Sequence, residues 1–141
     1  MIGIVVISHS AKAAEGICEL ATQMSGEATL VPAGGDAAED AGRDETADGD
    51  ADSDIGTSVD RIRAALEAAD SGDGVVVLVD LGSAVMNAEL AIEMADAEAA
   101  IADAPILEGT LNAAVEAASP KATRESVLER AVDAREYRKL D

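Results

Sequence analysis

Polar side chains that could do chemistry follow two apolar segments of the sequence. Ser8-His9-Ser10 comes after residues 2–7, and Asp80-Leu81-Gly82-Ser83 comes after residues 75–79. A neutral imidazole can accept a phosphoryl group on one nitrogen when an acceptor holds the other nitrogen, and Asp80 is the candidate acceptor for His9. Ser10, Ser83 and the N–H groups of the helices that begin there are candidate donors to phosphate oxygens. The pattern predicts a histidine that carries a phosphoryl group.

Plain structural roles for the same residues stay open. A lone histidine after a strand can be an ordinary loop residue, and Asp80 can be a helix cap. Helix capping is also a sufficient explanation for each of the hydroxyl side chains, namely Ser8, Ser10, Thr57 and Ser83. The chain has no Walker loop and no GxGxxG motif, so we do not expect tight nucleotide binding by this chain alone.

The apolar pattern predicts the elements that position these residues. Residues 2–7 and 75–79 are almost wholly apolar, which is typical of strands in a parallel sheet that is covered on both faces. Residues 28–33 predict another strand, and residues 98–103 predict a weaker one. Helical spacing of apolar residues predicts five helices, over 11–24, from 59 to about 69, from about 83 to 96, over 107–118 and over 121–139.

The alternation of strands and helices predicts an α/β fold. We expect one domain over residues 1–141, built as a three-layer open parallel sheet with helices on both faces. The carboxyl ends of parallel strands meet at one edge of the sheet, where ligands bind. If the first and third strands are neighbours, His9 faces Asp80 across that edge, and the helix that begins near Thr57 approaches it.

Composition and charge exclude several classes of function. The 141 residues include 10 basic and 29 acidic side chains, one Cys, one His and one aromatic residue, Tyr137. The net charge of −19 excludes electrostatically driven binding to nucleic acid or to an anionic membrane. One Cys and one His exclude a disulfide framework and a Cys- or His-rich metal site, so we expect no metal. We find no membrane-spanning run and no signal peptide, and we expect a cytoplasmic protein.

The acidic residues are concentrated in one segment. Residues 36–54 hold nine acids and one Arg, which predicts a solvated, mobile loop. Alternating aspartates from Asp48 to Asp54 resemble the start of a calcium loop, but the glycine and glutamate that such a loop needs at its sixth and twelfth positions are missing. The overall acidity and high alanine content are typical of a protein adapted to high salt, which screens the repulsion between carboxylates.

Four segments together resemble one family. They read IVVISHSAKAAEGICELATQM, IGTSVDRIRAALEAAD, VVVLVDLGSAVMNAELAIEM and APILEGTLNAAVEAAS. These segments are similar to the phosphotransfer subunits of dihydroxyacetone kinase, which belong to the mannose-type enzyme IIA family of the phosphotransferase system. The motifs SHS, DxGSA and P-x-x-EGT carry the resemblance, which covers nearly the whole chain apart from residues 36–54 and the C-terminal end.

The resemblance implies a sheet of order 2-1-3-4 and a homodimer. It places His9 on the residue that accepts a phosphoryl group from a histidine-containing phosphocarrier protein, with phosphoenolpyruvate as the original source. It implies transfer to ADP on the nucleotide-binding subunit of dihydroxyacetone kinase, so ADP, ATP and magnesium are expected on that partner and no cofactor is expected on this chain. It also places further residues at the site, namely Asp80, Gly82, Ser83, Gly56 and Thr57.

Other functions stay open at this point. A mannose-type enzyme IIA that feeds a sugar transporter would use the same chemistry with a different acceptor. A receiver-like module phosphorylated on Asp80 would need an acidic pair after the first strand to hold magnesium, and Ser8 and His9 occupy those positions. A binding module without catalysis is the remaining alternative. Because phosphate chemistry favours a positive field, we expect helix N-termini and a basic partner to supply it.

Overall fold

A four-stranded parallel sheet forms the centre of the fold. It is seen in a computed structural model that describes residues 1–36 and 54–140. The strands lie in the order β2-β1-β3-β4, and all three pairings are parallel. Both the α/β class and the sheet order are therefore confirmed. The strands are β1 (Gly3–Ser8), β2 (Thr29–Gly34), β3 (Val75–Val79) and β4 (Ala99–Ile101).

Helices cover both faces of this sheet, as the sequence predicts. On one face lie α1 (Ala11–Ser25), α4 (Ile106–Ala117) and α5 (Arg124–Asp133). On the other face lie α2 (Val59–Ala69) and α3 (Val85–Ala95). The central strands β1 and β3 are therefore enclosed between two helical layers.

The enclosure explains why the central strands are continuous apolar runs. Successive side chains of a strand point to opposite faces of the sheet. Ile4 and Val6 of β1 pack in the cluster with α1 and α4, whereas Val5 and Ile7 pack in the cluster with α2 and α3. All four side chains are fully buried. Because both faces are covered, both sets of side chains are apolar, and the site lies at the carboxyl ends of these strands.

Two predicted elements have wrong bounds. The single helix predicted over 121–139 is the shorter α5, followed by a 3-10 turn at Ala134–Glu136. The start is set by a capping box, in which Thr123 Oγ1 accepts from the Ser126 N–H at 3.0 Å and Ser126 Oγ accepts from the Thr123 N–H at 2.9 Å. The strand predicted over 98–103 is only the three residues of β4, because the chain turns toward Pro105 at the start of α4.

Some predictions extend beyond the described part of the chain. Apart from its two end residues, the acidic loop predicted over 36–54 lies outside the described residues, as does most of the alternating aspartate run. One domain over the whole of 1–141 therefore stays a prediction. Within residues 1–36 and 54–140, none of the helices combines the length and the apolar content that crossing a membrane requires.

Candidate active site

The register of the sheet brings His9 and Asp80 together. β1 and β3 are neighbours, and Ile7 pairs with Val79 near their carboxyl ends. The Asp80 N–H donates to the Ile7 carbonyl at 3.1 Å, so both strands leave the sheet at the same point. His9 and Asp80 are the first residues beyond the two strands, and their juxtaposition follows from this pairing.

The Asp80 carboxylate holds His9 at two points. Oδ1 lies 2.9 Å from the ring Nδ1, and Oδ2 accepts from the His9 backbone N–H at 2.9 Å. Oδ2 also accepts from the Ser8 hydroxyl at 3.0 Å. The side chains of His9 and Asp80 are 23% and 21% exposed, so both are partly enclosed yet reachable. The helix-cap role for Asp80 is wrong, because the 3-10 turn at Gly82–Ala84 begins without a side-chain cap.

These contacts set the charge of Asp80 and the tautomer of His9. Burial raises the pKa of Asp80, but hydrogen bonds from the His9 backbone, the His9 ring and the Ser8 hydroxyl together lower that pKa below its usual value. The carboxylate is therefore ionised at neutral pH and acts only as an acceptor. In the neutral imidazole, Nδ1 then carries the proton, and the lone pair of Nε2 accepts a hydrogen bond from the Ser83 hydroxyl.

The loop after β3 lies over the free nitrogen. Ser83 Oγ is 3.0 Å from His9 Nε2, and Ser83 is exposed. Beside it, a Cβ built on Gly82 would have no heavy atom within 4 Å outside its chain neighbours. An incoming group can therefore reach Nε2 only if the Ser83 hydroxyl moves, and no packed atom stands beside Gly82 in this loop.

The stability that Asp80 contributes is expected to depend on pH. A carboxyl whose pKa is lowered by folding stabilises the protein fully above its unfolded pKa of about 4, and this contribution is lost as the pH falls through the folded pKa. We expect the difference in free energy of unfolding between the wild type and Asp80→Asn to shrink as the pH is lowered from about 5 into the range below the unfolded pKa of about 4. Urea unfolding measures it, and a difference that stays constant over this range would contradict the assignment.

The two serines that flank His9 have different positions. Ser8 is 2% exposed, and its hydroxyl donates to Asp80 and accepts from the Ser10 N–H at 3.0 Å. It lies behind the carboxylate, so its geometry differs from the phosphate-binding role that we expected, and it helps to position Asp80. Ser10 caps α1, since its side chain accepts from the Ala13 N–H at 3.2 Å.

The segment before α2 lies beside His9, as the resemblance implies. The Gly56 N–H donates to the His9 carbonyl at 2.8 Å. Gly56 has a φ of +139°, and a Cβ there would lie 2.8 Å from the Cβ of Asp36, so this close approach requires glycine. The next residue, Thr57, accepts at Oγ1 from Asn87 Nδ2 at 2.7 Å.

Two contacts near the site were not anticipated from the sequence. One is the Asn87 amide on Thr57; the other is the Arg61 guanidinium, which donates to the Gly34 carbonyl at the end of β2 at 2.8 Å. Asn87 lies in the first turn of α3, just after the 3-10 turn that contains Ser83. No motif in the sequence pointed to its contact with Thr57.

Within 1–36 and 54–140, no group of three or more His, Cys, Asp or Glu side chains is placed to hold a metal ion.

The sequence matches the model of one protein family. Residues 3–128 match the model of EIIA-man, described as the PTS system fructose IIA component. The chain belongs to the EIIA-man family. The resemblance inferred from the SHS, DxGSA and P-x-x-EGT motifs is thereby confirmed.

Several curated relatives share one name. The phosphoryl donor subunit DhaM of the PEP-dependent dihydroxyacetone kinase of Klebsiella michiganensis is 37% identical over 99% of this chain. The phosphotransferase subunit DhaM of the PTS-dependent dihydroxyacetone kinase of Lactococcus lactis is 35% identical over 79% of this chain. The present chain spans 28% of the Klebsiella protein and 78% of the Lactococcus protein.

A solved structure has the same fold. The crystal structure of EF1359, a protein of unknown function, is similar with a TM-score of 0.72 and 28% sequence identity. The match covers 94% of this chain and 93% of that one. The parallel sheet and its helical layers therefore also occur in an experimental structure.

Proposed function

We propose that this chain is a phosphohistidine carrier that accepts a phosphoryl group on His9 and passes it to ADP on the nucleotide-binding subunit of dihydroxyacetone kinase. The observation that carries the proposal is the His9–Asp80 pair, which holds Nδ1 and leaves the lone pair of Nε2 facing the exposed Ser83 hydroxyl. The names of the curated DhaM relatives favour the kinase over the sugar-transport alternative. On this view the chain is the phosphotransferase component of a phosphoenolpyruvate–dihydroxyacetone phosphotransferase.

The first chemical step is an in-line transfer between two histidines. The Nε2 lone pair attacks the phosphorus of a phosphohistidine on the histidine-containing phosphocarrier protein. The new Nε2–P bond forms as the P–N bond of the donor breaks, and the donor imidazole leaves with the electron pair. Nδ1 keeps its proton throughout, because Asp80 accepts it in a hydrogen bond of 2.9 Å. The second step reverses these roles, with a β-phosphate oxygen of ADP as the nucleophile.

Two charges need stabilisation, the positive charge on the phosphorylated ring and the negative charge on the phosphoryl oxygens. Once Nε2 carries the phosphoryl group, the ring with its Nδ1 proton is cationic, and the Asp80 carboxylate offsets that charge. The Ser83 hydroxyl, now 3.0 Å from Nε2, moves aside and donates to a phosphoryl oxygen. The N-terminus of α1 behind Ser10 and the Thr57 hydroxyl are the other donors that we propose.

The partners are proposed on chemistry and charge. With a net charge of −19, this chain attracts a phosphocarrier whose contact surface is basic, and such complementarity speeds association. ADP, ATP and magnesium belong on the kinase subunit in this proposal. Since phosphoenolpyruvate and ADP are cytoplasmic compounds, we propose a cytoplasmic location, and the acidic composition supports function at high salt.

A discharge experiment tests the choice of acceptor. The chain is first phosphorylated with phosphoenolpyruvate, enzyme I and the phosphocarrier at about 1 M salt, where the Debye length is about 3 Å. The phosphorylated protein is then mixed with the kinase nucleotide-binding subunit and ADP, or in parallel with a mannose-type transporter subunit. We expect loss of the phosphoryl group and formation of ATP only with the kinase subunit. Discharge to the transporter subunit alone would support the sugar-transport alternative instead.

We also propose that the chain forms a homodimer through α3. Exposed apolar side chains line this helix and the loop before it, with Met86 80% exposed. The residues of this α3 stripe are Leu81, Met86, Leu90 and Met94. A contiguous stripe of large apolar side chains is typical of an interface, and a twofold axis would pair it with the same stripe of a second copy.

Charged substitutions in the α3 stripe are expected to give a monomer. Met86→Glu and Leu90→Glu place a carboxylate where the second copy would bury an apolar side chain. Sedimentation equilibrium at about 1 M salt, where the repulsion between acidic chains is screened, measures the mass. Met24→Glu is the matched control, since Met24 is also exposed but lies on α1 on the other face of the sheet. A wild-type monomer, or a dimer that survives both stripe substitutions, would contradict this interface.

A further inference from the structure

One hydrogen bond joins the two segments that contact His9 from different sides. The Asn87 side-chain N–H, from α3, donates to Thr57 Oγ1 at 2.7 Å. Thr57 follows Gly56, whose N–H donates to the His9 carbonyl at 2.8 Å. Asn87 lies four residues after Ser83, whose hydroxyl is 3.0 Å from His9 Nε2. The Asn87–Thr57 pair therefore links the segment that contacts the His9 backbone carbonyl to the helix that follows the Ser83 loop.

The direction of this hydrogen bond determines what the Thr57 hydroxyl can do. A hydroxyl has one hydrogen to donate and two lone pairs that accept. Because the Asn87 amide donates, it occupies a lone pair and repels the hydroxyl hydrogen. The Thr57 hydrogen then points away from Asn87 and stays available to another acceptor. A carboxylate in place of the amide can only accept, so the Thr57 hydroxyl would become the donor in this hydrogen bond. Its hydrogen would then point toward α3.

The phosphoryl group offers acceptors for such a hydrogen. In the transition state of phosphoryl transfer, negative charge spreads over three equatorial oxygens. Ser83 approaches the site from the loop after β3, and α1 begins at Ser10 immediately after His9. A donor from the segment before α2 would add a third direction of approach, which neither of these elements supplies.

We propose that Asn87 is a positioning residue that orients the Thr57 hydroxyl as a donor to the phosphoryl group on His9. This inference rests on the proposed phosphoryl transfer to His9. Asn87 acts through Thr57 and does not touch the reacting atoms. The competing explanation is that the bond only ties the segment before α2 to α3, in which case its direction has no importance.

The substitution Asn87→Asp separates these two explanations. The side chain keeps its shape, and an aspartate can still tie the two segments by accepting from Thr57, but the hydroxyl hydrogen is then withdrawn from the site. We expect the maximal rate of phosphoryl uptake from the phosphorylated phosphocarrier to fall about 10-fold, as the loss of one hydrogen bond to a charged group predicts. The carrier concentration at half-maximal rate is expected to change less than about twofold, since the bond acts in the transition state.

Thr57 variants complete the test. Thr57→Val removes the hydroxyl with little change of shape and is expected to show the same loss as Asn87→Asp, whereas Thr57→Ser keeps the hydroxyl and is expected to retain the wild-type rate. In the Asn87→Asp/Thr57→Val double variant, the two losses should not multiply, because both remove one donor. Gln23→Glu, the same change of chemistry on an exposed residue of α1, is the control and is expected to match the wild type.

Two outcomes would overturn the inference in different ways. A wild type that takes up no phosphoryl group on His9 would overturn the proposed function and this inference with it. The inference alone would be overturned if the wild type is phosphorylated but Asn87→Asp takes up phosphate at a rate within about twofold of the wild-type rate. It would also be overturned if the two losses multiply in the double variant. Melting temperatures of all variants confirm that the fold is present before rates are compared.

Discussion

Replacing His9 by alanine is expected to abolish phosphoryl uptake. The imidazole Nε2 is the only atom of the proposed site with a free lone pair suited to form the P–N bond, so no residue can substitute for it. The variant His9→Asn removes Nε2 but keeps an amide N–H that can donate to Asp80 as Nδ1 does now at 2.9 Å. We expect uptake at background level in both variants, measured as incorporation of labelled phosphate from phosphoenolpyruvate through enzyme I and the phosphocarrier.

The fold of the His9 variants is expected to survive. The imidazole is partly exposed, and the buried strands on either side do not depend on it. Circular dichroism and the melting temperature check this, with Glu129→Gln, at an exposed position of α5, as a control that should keep wild-type uptake. Uptake by a folded His9→Ala protein at more than a trace of the wild-type rate would mean that another residue is the acceptor.

The second large effect is expected at Asp80. In Asp80→Asn the side-chain oxygen would take the place of Oδ2, because the His9 backbone N–H is a fixed donor there at 2.9 Å. The NH₂ group must then face Nδ1, which becomes the acceptor, and the ring proton moves to Nε2. The nucleophilic lone pair is lost in this tautomer. We expect phosphoryl uptake to fall by up to roughly 10⁴-fold, the loss seen when the catalytic histidine of a serine protease is held in the wrong tautomer.

Further variants separate the role of Asp80 in orienting the His9 ring from its contribution to the stability of the fold. Asp80→Ala leaves the His9 N–H and the buried Ser8 hydroxyl without their acceptor, so we expect an additional loss of about 1–3 kcal/mol in the free energy of unfolding. Asp103→Asn is the control, since Asp103 follows β4 at the same edge of the sheet with its side chain 92% exposed. Equal rates for Asp80→Asn and Asp103→Asn would contradict the role of Asp80.

The sequence alone was sufficient where a local pattern determines the structure. The apolar residues of β1 and β3 are continuous because helices cover both faces, and this pattern is visible without any coordinates. His9 and Asp80 directly follow these two strands, so pairing of neighbouring parallel strands was enough to predict their contact. The resemblance in the SHS and DxGSA motifs then indicated the chemistry.

Other features depend on packing between distant segments and were not predicted. The buried Ser8 hydroxyl was expected to bind phosphate, but Ser8 lies at the end of β1, where its side chain points back at Asp80. The Asn87–Thr57 bond joins residues 30 positions apart, and it depends on how α3 packs beside the segment before α2. The start of α5 depends on the Thr123 capping box, which the apolar pattern does not reveal.

The central claim is that His9 carries the phosphoryl group, and intact-mass spectrometry followed by peptide mapping tests it most directly. The protein is incubated with phosphoenolpyruvate, enzyme I and the phosphocarrier at high salt. We predict one acid-labile, base-stable phosphoryl group per chain, located on His9. An unmodified mass, with the donor proteins shown to be active on a known acceptor, would contradict the claim, and so would a base-labile phosphoryl group located on Asp80.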